Sequence, residues 1–312
     1  MTKNLCKIPT VTPVMVYKTM LFINHFTTSN KLNDFFFTSS INGFLHIWNI
    51  KVLFPIFRNF YKNHKFIFVN INKKSNLLAT SSDNMEILLL KINKSLKYGK
   101  LIISTISKNV FKTLFTYLKF YKNNNLFLLS FGIVIWDITR CRIRNLSLRK
   151  SKRFEKIIIN KMYKNLAIYY SENQIYFGNF KQSFTLKKID LNTKITNIEW
   201  HSVFSNLILV STKNSNMFLF DIRNIIYPIQ KIKLKKIIPS IDFFRFSKID
   251  NKIVVSSNND NRIVIIGVKN FEFLKAYDVK IQSVLIKYKK INLQNWLSLS
   301  KQNNLILWKF IF

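Results

Sequence analysis

One pattern recurs seven times along the 312 residues, and it limits the available folds more than any other feature. Each copy has an apolar run that ends in small residues, a short polar turn, and a second apolar run that ends near tryptophan or another bulky residue. The aligned tryptophan positions are 48, 90, 136, 178, 220, 266 and 308, so successive copies lie 42, 46, 42, 42, 46 and 42 residues apart. A period this constant indicates repeated supersecondary units, each of which buries its apolar faces against its neighbours.

An additional apolar run precedes each copy. These seven runs are residues 20–26, 65–71, 114–120, 154–160, 195–200, 240–246 and 281–288. We interpret them as the innermost strand of each unit, the recurring pair as its two middle strands, and the variable segment that follows as its outer strand. A unit of four strands and ~40–45 residues resembles a blade of the WD-repeat family. The sequence therefore predicts an all-β fold, a single seven-bladed WD-repeat β-propeller that spans residues 1–312.

Ring closure by the N-terminal segment is also predicted. An open row of sheets leaves an unpaired strand edge at each end, and a closed ring removes both edges. The sequence ends shortly after Trp308, on the third strand of the last unit. We therefore expect residues 8–16 to supply the fourth strand of that blade, with no second domain and no linker.

The bulky repeat positions are interpreted as core residues wedged between blades, because large aromatic side chains supply much of the buried area in such cores. The structural repeat positions are Trp48, Trp136, Asp137, Trp200, Phe220, Asp221 and Trp308. The Gly-His dipeptide typical of WD repeats is absent, and the Trp-Asp pair remains only at Trp136 and Asp137. We therefore expect depleted polar networks, with apolar packing carrying more of the stability.

The charge of the chain is strongly unbalanced. Lys and Arg number 50 against 14 acids, a formal net charge of +36. Such a field attracts polyanions, which are nucleic acid or an acidic membrane surface. Nucleotide bias is the alternative, since Lys, Asn, Ile and Phe are all frequent, although bias alone would not deplete Asp and Glu.

Two segments concentrate the basic side chains. Residues 140–153 contain Arg140, Arg142, Arg144, Arg149, Lys150, Lys152 and Arg153, and therefore five of the nine arginines. They lie on the outer strand of the third predicted blade and in the loop into the fourth. Arginine suits bidentate phosphate recognition. The second segment contains Lys231, Lys233, Lys235 and Lys236, and strand alternation predicts one shared face for the first three. Both are candidates for RNA contact. The alternatives are a solvated rim for the arginines and a lysine-guarded strand edge for the lysines.

No catalytic, cofactor or metal site is predicted. The four histidines are His25, His46, His64 and His201, and none has metal-ligand spacing to another or to Cys6 and Cys141. The five glycines are isolated, so no phosphate-binding loop is present, and Asp83 and Glu86 are interpreted as capping residues of a turn. A pocket on the central channel lined with carboxylates or histidines would instead favour an enzyme.

The cellular compartment is predicted from the cysteines and the apolar runs. Two thiols far apart fit a reducing compartment. Residues 1–10 lack the apolar core of a signal peptide, and the longest nearly apolar run, residues 126–136, is shorter than the ~20 residues that span a bilayer. We therefore expect a soluble intracellular protein that contacts no membrane and no small-molecule substrate.

Several blades together resemble the Sof-one family, WD-repeat proteins of the U-three small nucleolar ribonucleoprotein and the small-subunit processome. The resemblance is carried by a short third blade ending in Trp136-Asp137, by residues 185–189 followed by Thr196-Asn197 and Trp200, by Phe220-Asp221-Ile222-Arg223, and by residues 304–309. Their order agrees with the family along nearly the whole chain. Three features depart from it: His201-Ser202 replaces the family's Asn-Pro, the family's basic extension beyond the propeller has no counterpart before Phe312, and the N-terminal lead-in is shorter.

The resemblance implies a non-catalytic scaffold in small-subunit ribosomal RNA processing and ribosome biogenesis. Its implied partners are precursor ribosomal RNA and small nucleolar ribonucleoprotein proteins within a large hetero-complex. The implied location is the nucleolus, and the shortened, biased sequence is typical of a compacted genome such as that of a nucleomorph. The alternative is a WD-repeat adaptor of another nuclear complex, either a histone-binding chromatin protein or a ubiquitin-ligase substrate receptor, because residues 220–223 resemble the Trp-Asp-x-Arg box of such receptors with phenylalanine in place of tryptophan.

Overall fold

The computed structural model describes most of the chain. The described residues are 10–18, 22–28, 35–51, 54–94, 101–121, 124–146, 153–160, 162–163, 165–179, 187–201, 203–235, 239–241, 243–246, 252–257, 262–269, 272–280, 285–290, 295–300 and 304–311. Several residues that the sequence singles out lie outside these ranges: Cys6, Arg149, Lys150, Lys152 and Lys236, together with residues 8–9 of the expected N-terminal strand and 185–186 of the resemblance.

All regular structure within these ranges is β, and it forms seven four-stranded antiparallel sheets, numbered here in chain order. The last sheet includes the N-terminal strand β1 (Thr10–Lys18). Sheet 1 contains β2 (Ile23–Thr28), β3 (Phe35–Ser40), β4 (Phe44–Asn49) and β5 (Phe54–Phe60). Sheet 2 contains β6 (Phe66–Ile71), β7 (Leu77–Ser82), β8 (Glu86–Lys94) and β9 (Leu101–Val110). Sheet 3 contains β10 (Tyr117–Tyr121), β11 (Asn125–Leu129), β12 (Ile133–Asp137) and β13 (Arg142–Leu146).

The remaining sheets repeat this arrangement. Sheet 4 contains β14 (Lys156–Ile159), β15 (Leu166–Ser171), β16 (Gln174–Asn179) and β17 (Lys187–Asp190). Sheet 5 contains β18 (Ile195–Trp200), β19 (Leu207–Thr212), β20 (Asn216–Asp221) and β21 (Gln230–Lys233). Sheet 6 contains β22 (Phe243–Phe246), β23 (Lys252–Ser257), β24 (Arg262–Lys269) and β25 (Glu272–Lys280). Sheet 7 contains β26 (Leu285–Lys290), β27 (Asn295–Ser300), β28 (Asn304–Ile311) and β1.

In sheets 1 to 5, the first strand lies nearest the next sheet. Contacts join β2 to β6, β6 to β10, β10 to β14, β14 to β18 and β18 to β22. The fourth strand of each of these sheets therefore forms the outer edge. The all-β fold of repeated four-stranded sheets is confirmed, whereas packing of sheet 7 against sheet 1 stays a prediction.

The N-terminal strand β1 pairs antiparallel with β28, so the first described residues supply an edge of the last sheet. Pro13 lies opposite Trp308, and the register shifts between Pro13 and Met15. Proline cannot donate to the ladder, which is why it is tolerated at an edge or a bulge. Trp308 itself lies opposite Trp296 on β27.

Apolar clusters fill the spaces between consecutive sheets. One cluster joins sheets 2 and 3 around Leu89, Leu128 and Trp136, and another joins sheets 4 and 5 around Trp200 and Phe220. Burial of this kind removes apolar surface from water and supplies the main stabilising free energy. The arrangement leaves the outer edges and the loops at the two ends of the sheets for contacts with other molecules.

Candidate nucleic-acid interface

Arg142 and Arg144 lie on β13, the outer edge strand of sheet 3, and both side chains are exposed. They alternate with Ile143, so they share one face of the strand, about 7 Å apart along it. Neither has a carboxylate partner among the described residues. Two adjacent, unpaired guanidinium groups on an outer edge can each bind a phosphate through two hydrogen bonds.

The turn that precedes β13 is held by Asp137, which ends β12. Its Oδ1 accepts hydrogen bonds from the backbone N–H of Thr139 at 3.1 Å and of Arg140 at 3.2 Å, and from the Thr139 hydroxyl at 2.7 Å. The hydrogen bond from Thr139, with that from Arg140, holds the pKa of Asp137 below its ordinary value. Cys141 completes the turn with φ 50°. The surviving Trp-Asp pair therefore fixes the reversal that places Arg142 on the edge.

The other described arginines of the predicted segment lie at opposite ends of β13. Arg140 is exposed in the turn before the strand. Arg153 lies in the loop before β14, where its Nε donates to the Thr116 hydroxyl at 3.4 Å. Arg140, Arg142 and Arg144 therefore follow the outer edge of sheet 3, whereas Arg153 lies beside Thr116, just before the first strand of that sheet.

Lys231 and Lys233 form a second basic edge, on β21 of sheet 5. Both side chains are exposed, and the Lys231 Nζ lies 5.4 Å from the centre of the Phe218 ring. The strand β21 ends at Lys233, so the expectation that Lys235 shares this strand face stays a prediction. The buried Leu234 comes next, and its N–H donates to the Ser215 carbonyl at 2.8 Å, which continues the β20–β21 register by one residue. Lys235 is exposed in the turn that follows.

Lys187 and Lys188 on β17 place basic side chains on the outer edge of sheet 4 as well. Lys187 donates from Nζ to the Arg223 carbonyl at 3.5 Å, and Lys188 forms an ion pair with Asp190 at 2.9 Å. Sequence reasoning missed this pair as a basic feature, because two adjacent lysines are unremarkable in so lysine-rich a chain. The outer edges of three consecutive sheets thus carry exposed cations. We call this set the basic perimeter: Arg142, Arg144, Lys187, Lys188, Lys231 and Lys233.

A separate cavity of ≈ 690 Å³ lies at one end of sheets 3 to 5. Its described lining is Thr116, Phe131, Arg153, Glu155, Ser171, Glu172 and Lys194. Burial raises the pKa of Glu155, although Lys194 lies 3.8 Å away and opposes the shift. Glu155 and Glu172 line the cavity, and carboxylates in a pocket would favour an enzyme. Arg153 and Lys194 lie in the same lining, so the carboxylates are accompanied by an equal number of cations. No group of three potential metal ligands occurs among the residues that the structure describes.

Glu86 takes a different role from the one predicted, because it begins β8 and does not lie in the turn with Asp83. Its Oε2 lies 2.6 Å from Nε2 of His64, and its Oε1 lies 2.9 Å from Nζ of Lys108. Burial raises the pKa of Glu86, but the hydrogen bonds from Lys108 and His64 outweigh burial and hold it below its ordinary value. This network joins the loop between sheets 1 and 2 to β8 and β9, and it stabilises the end of sheet 2.

The repeated four-stranded antiparallel sheets define the fold of a β-propeller. One chain in the crystal structure of the mitotic checkpoint complex is similar, with a TM-score of 0.79 and 11% identity over 99% of this chain and 95% of that chain. The β-propeller domain of Cps50 (Swd1) from Myceliophteria thermophila is also similar, with a TM-score of 0.74 and 9% identity over 96% of this chain and 99% of that chain. No protein-family model matches the sequence, and no curated protein matches it. At such identities the structural likeness concerns the fold alone. Within the part of the chain that the structure describes, no helix is long and apolar enough to cross a membrane.

Proposed function

We propose that this protein is a non-catalytic scaffold that binds RNA through the basic perimeter, within an assembly that processes small-subunit ribosomal RNA in the nucleolus of a nucleus or nucleomorph. The observation that carries the RNA contact is the pair Arg142 and Arg144 on β13, exposed and without a described carboxylate partner. The phosphate backbone of a nucleic acid holds condensed cations, and arginine side chains that neutralise its phosphates release these cations into solution, which favours binding.

The position of the cations also supports a large polyanionic partner. The strands β13, β17 and β21 are edge strands of three consecutive sheets, so one nucleic-acid strand can contact all three. The formal net charge of +36 adds a long-range attraction to the same kind of partner. Phosphate contacts of this type position the RNA and carry little sequence information.

The particular assembly is supported by the Sof-one resemblance and by the fold. The Trp136-Asp137 pair, which carries part of that resemblance, fixes the turn that presents Arg142. One structural neighbour was solved within a multi-protein complex, the mitotic checkpoint complex. We therefore place this chain, too, in a hetero-complex, with precursor ribosomal RNA and small nucleolar ribonucleoprotein proteins as partners.

The proposal is tested by purifying the tagged protein from cells and sequencing the RNA bound to it. The expected result is enrichment of precursor ribosomal RNA and small nucleolar RNA, reduced in the Arg142→Gln/Arg144→Gln variant. Lys73→Gln/Lys74→Gln is the matched control, because it removes two exposed cations from a loop of sheet 2, away from the perimeter. Absence of both RNA classes from the purified complex would count decisively against the proposal.

An adaptor role in another nuclear complex is the second candidate, and one observation favours it. The Arg223 guanidinium is exposed and is held by two oxygens of Asp221, with Nε and terminal N distances of 3.0 and 2.6 Å. Arg223 is the arginine of residues 220–223, the segment that resembles the Trp-Asp-x-Arg box of ubiquitin-ligase substrate receptors, and this geometry exposes it. Co-purification of a ubiquitin-ligase core or of histones, without nucleolar RNA, would favour the adaptor role.

A further inference from the structure

Two apolar side chains in the loop between β14 and β15 are carried by residues whose N–H groups bond to Asn160. Oδ1 of Asn160 accepts hydrogen bonds from the N–H of Met162 at 2.9 Å and of Tyr163 at 3.0 Å. The Asn160 N–H donates to the Leu166 carbonyl at 2.9 Å, and the Leu166 N–H donates to the Tyr163 carbonyl at 2.8 Å. The loop is therefore closed at its base and held at its tip, with Met162 and Tyr163 exposed.

The loop between β18 and β19, in the next sheet, is built in the same way. Nδ1 of His201 accepts from the N–H of Val203 at 3.2 Å and of Phe204 at 3.1 Å. The His201 N–H donates to the Leu207 carbonyl at 2.9 Å, and the Leu207 N–H donates to the Phe204 carbonyl at 3.3 Å. Burial lowers the pKa of His201, which keeps the ring neutral and able to accept at Nδ1. Val203 and Phe204 are exposed like their counterparts.

A third segment, between β20 and β21, adds Ile226 and Tyr227 at the same end of the sheets. Its start is tied to the second loop, because the Ile222 N–H donates to the Asn206 carbonyl at 2.9 Å. The Asn206 amide donates to Asp221 Oδ2 at 3.1 Å.

The three segments form one surface. The first two are joined by the Asn160 amide, which donates to the Ser205 carbonyl at 2.7 Å. We call this surface the apolar face: Met162, Tyr163, Val203, Phe204, Ile226 and Tyr227, with exposed fractions from 48% to 78%. A group of large exposed apolar side chains marks an interaction site, since soluble monomers rarely expose such patches without use. The hydrogen bonds to Asn160 and His201 hold Met162, Tyr163, Val203 and Phe204 in place before a partner binds, which reduces the entropy lost on binding.

The edge of the apolar face is positively charged. A cleft of ≈ 560 Å³ beside it is lined by Lys187, Lys188, Ile189, Asp190, Arg223, Asn224, Ile225 and Ile226. Asp190 pairs with Lys188 and Asp221 pairs with Arg223, whereas Lys187 has a carbonyl and no described carboxylate as partner. In sequence, Lys161 and Lys164 also flank Met162 and Tyr163. The net charge beside the apolar face therefore favours an acidic partner.

We propose that the apolar face docks a segment of a partner protein that carries aliphatic or aromatic anchor residues next to aspartates or glutamates. Aliphatic side chains such as Met162, Val203 and Ile226 favour protein over RNA, because they bury against apolar groups and offer no ring for base stacking. A second copy of the chain is disfavoured, because each copy carries a formal charge of +36. This goes beyond the proposed function, because the six residues of the apolar face lie outside the basic perimeter; Lys187 and Lys188 are shared by the perimeter and the cleft.

The test begins with a photo-crosslinking residue, p-benzoylphenylalanine, in place of Tyr163 or Tyr227 in the full chain in cells. The same residue in place of Val110 is the control, since Val110 is exposed on sheet 2 and remote from the apolar face. Mass spectrometry identifies the crosslinked segment. The expected result is a protein segment with apolar anchors flanked by acidic residues, captured from Tyr163 and Tyr227 and not from Val110.

The captured segment is then synthesised, and its affinity for the purified chain is measured by fluorescence anisotropy. Met162→Ser/Ile226→Ser should weaken binding by roughly tenfold or more, since truncation of buried anchors removes most of such an interface's energy. Both positions are exposed, so the thermal unfolding of the variant should match that of the parent. A peptide in which lysine replaces each acidic residue should also bind more weakly.

Four outcomes would overturn the docking proposal: crosslinks to RNA, crosslinks to a second copy of the chain, no crosslink above the Val110 control, or a peptide affinity unchanged in Met162→Ser/Ile226→Ser. The two proposals fail separately. Arg142→Gln/Arg144→Gln should lose RNA and keep the crosslink, whereas Met162→Ser/Ile226→Ser should lose the captured protein and keep the RNA affinity of the purified chain.

Discussion

The indole N–H of Trp48 donates a hydrogen bond to the Thr38 hydroxyl at 2.8 Å, whereas the same two places in sheet 2 hold Leu90 and Thr80. The Thr80 hydroxyl is buried and has no hydrogen-bond partner among the described residues. Sheet 1 thus keeps a polar contact that sheet 2 has lost, while both keep their apolar packing. This pair of sites allows the value of the remaining hydrogen bond to be measured against a matched background.

Thr38→Val should lower the free energy of unfolding by about 1–3 kcal/mol, because it leaves the buried indole N–H of Trp48 without its partner. Thr80→Val makes the same change of side chain where no hydrogen bond is lost, so it should be neutral or stabilising. Urea denaturation followed by tryptophan fluorescence measures both. Equal losses for the two variants would show that the Trp48 contact adds nothing to stability.

His46 should make the protein sensitive to acid. Burial, with a smaller contribution from the Arg58 charge, lowers its pKa from 6.5 to about 4, and neither ring nitrogen has a described hydrogen-bond partner. Below pH 6.5, His46 takes up a proton in the unfolded chain but stays neutral in the folded chain until the pH approaches 4. The free energy of unfolding therefore decreases as the pH falls from 6.5 to 4. The loss from this group should reach about 3 kcal/mol near pH 4.

The control for this pH dependence is His46→Leu, which copies Leu88 from the equivalent place in sheet 2. Denaturation at a series of pH values should show a shallower decrease between pH 6.5 and 4 for the variant than for the parent. His201, whose pKa burial also lowers, contributes to the slope that remains. Identical pH profiles would contradict a buried neutral His46.

Charge removal at Arg142 and Arg144 should weaken RNA binding and reduce its dependence on salt. Two lost phosphate contacts should decrease the slope of log affinity against log salt by about 1–2 units. The measurement is anisotropy of a labelled single-stranded RNA, titrated between about 50 and 200 mM salt. Lys73→Gln/Lys74→Gln should leave the slope nearly intact. An unchanged slope in Arg142→Gln/Arg144→Gln would identify these arginines as a solvated rim.

The exposed position of Lys231 and Lys233 on β21 has a second explanation. Lysines on an edge strand prevent that strand from pairing with strands of other chains. Under our account, Lys231→Gln/Lys233→Gln lowers RNA affinity and leaves the protein monomeric in sedimentation velocity experiments. Self-association of the variant with unchanged RNA affinity would instead support the protective role. Both quantities come from the same purified protein.

The strands were predictable because their spacing is set by burial on both sides of each sheet. The predicted run 195–200 coincides with β18. The run 114–120 starts before β10, because Phe115 enters the core from the preceding loop, and an apolar pattern does not separate a buried loop residue from a strand residue. Apolar periodicity therefore locates the strands better than it locates their ends.

The site was predictable only in part. Clustered arginines stand out in a lysine-rich sequence, so Arg142 and Arg144 could be chosen, whereas Lys187 and Lys188 could not. The loops that begin at Asn160 and His201 gave no signal, because their hydrogen bonds depend on where the chain returns after each turn. Glu86 was misplaced for a similar reason, since its partners His64 and Lys108 come from other segments.

The most direct test of the central claim is ultraviolet crosslinking of the native complex, followed by mass spectrometry of the peptides joined to RNA. We expect RNA adducts to concentrate on residues 140–153, 187–188 and 230–235, with precursor ribosomal RNA as the crosslinked species, and we expect none on residues 160–165 and 201–206. A complex without RNA, or adducts that avoid all three basic segments, would contradict the proposed RNA contact.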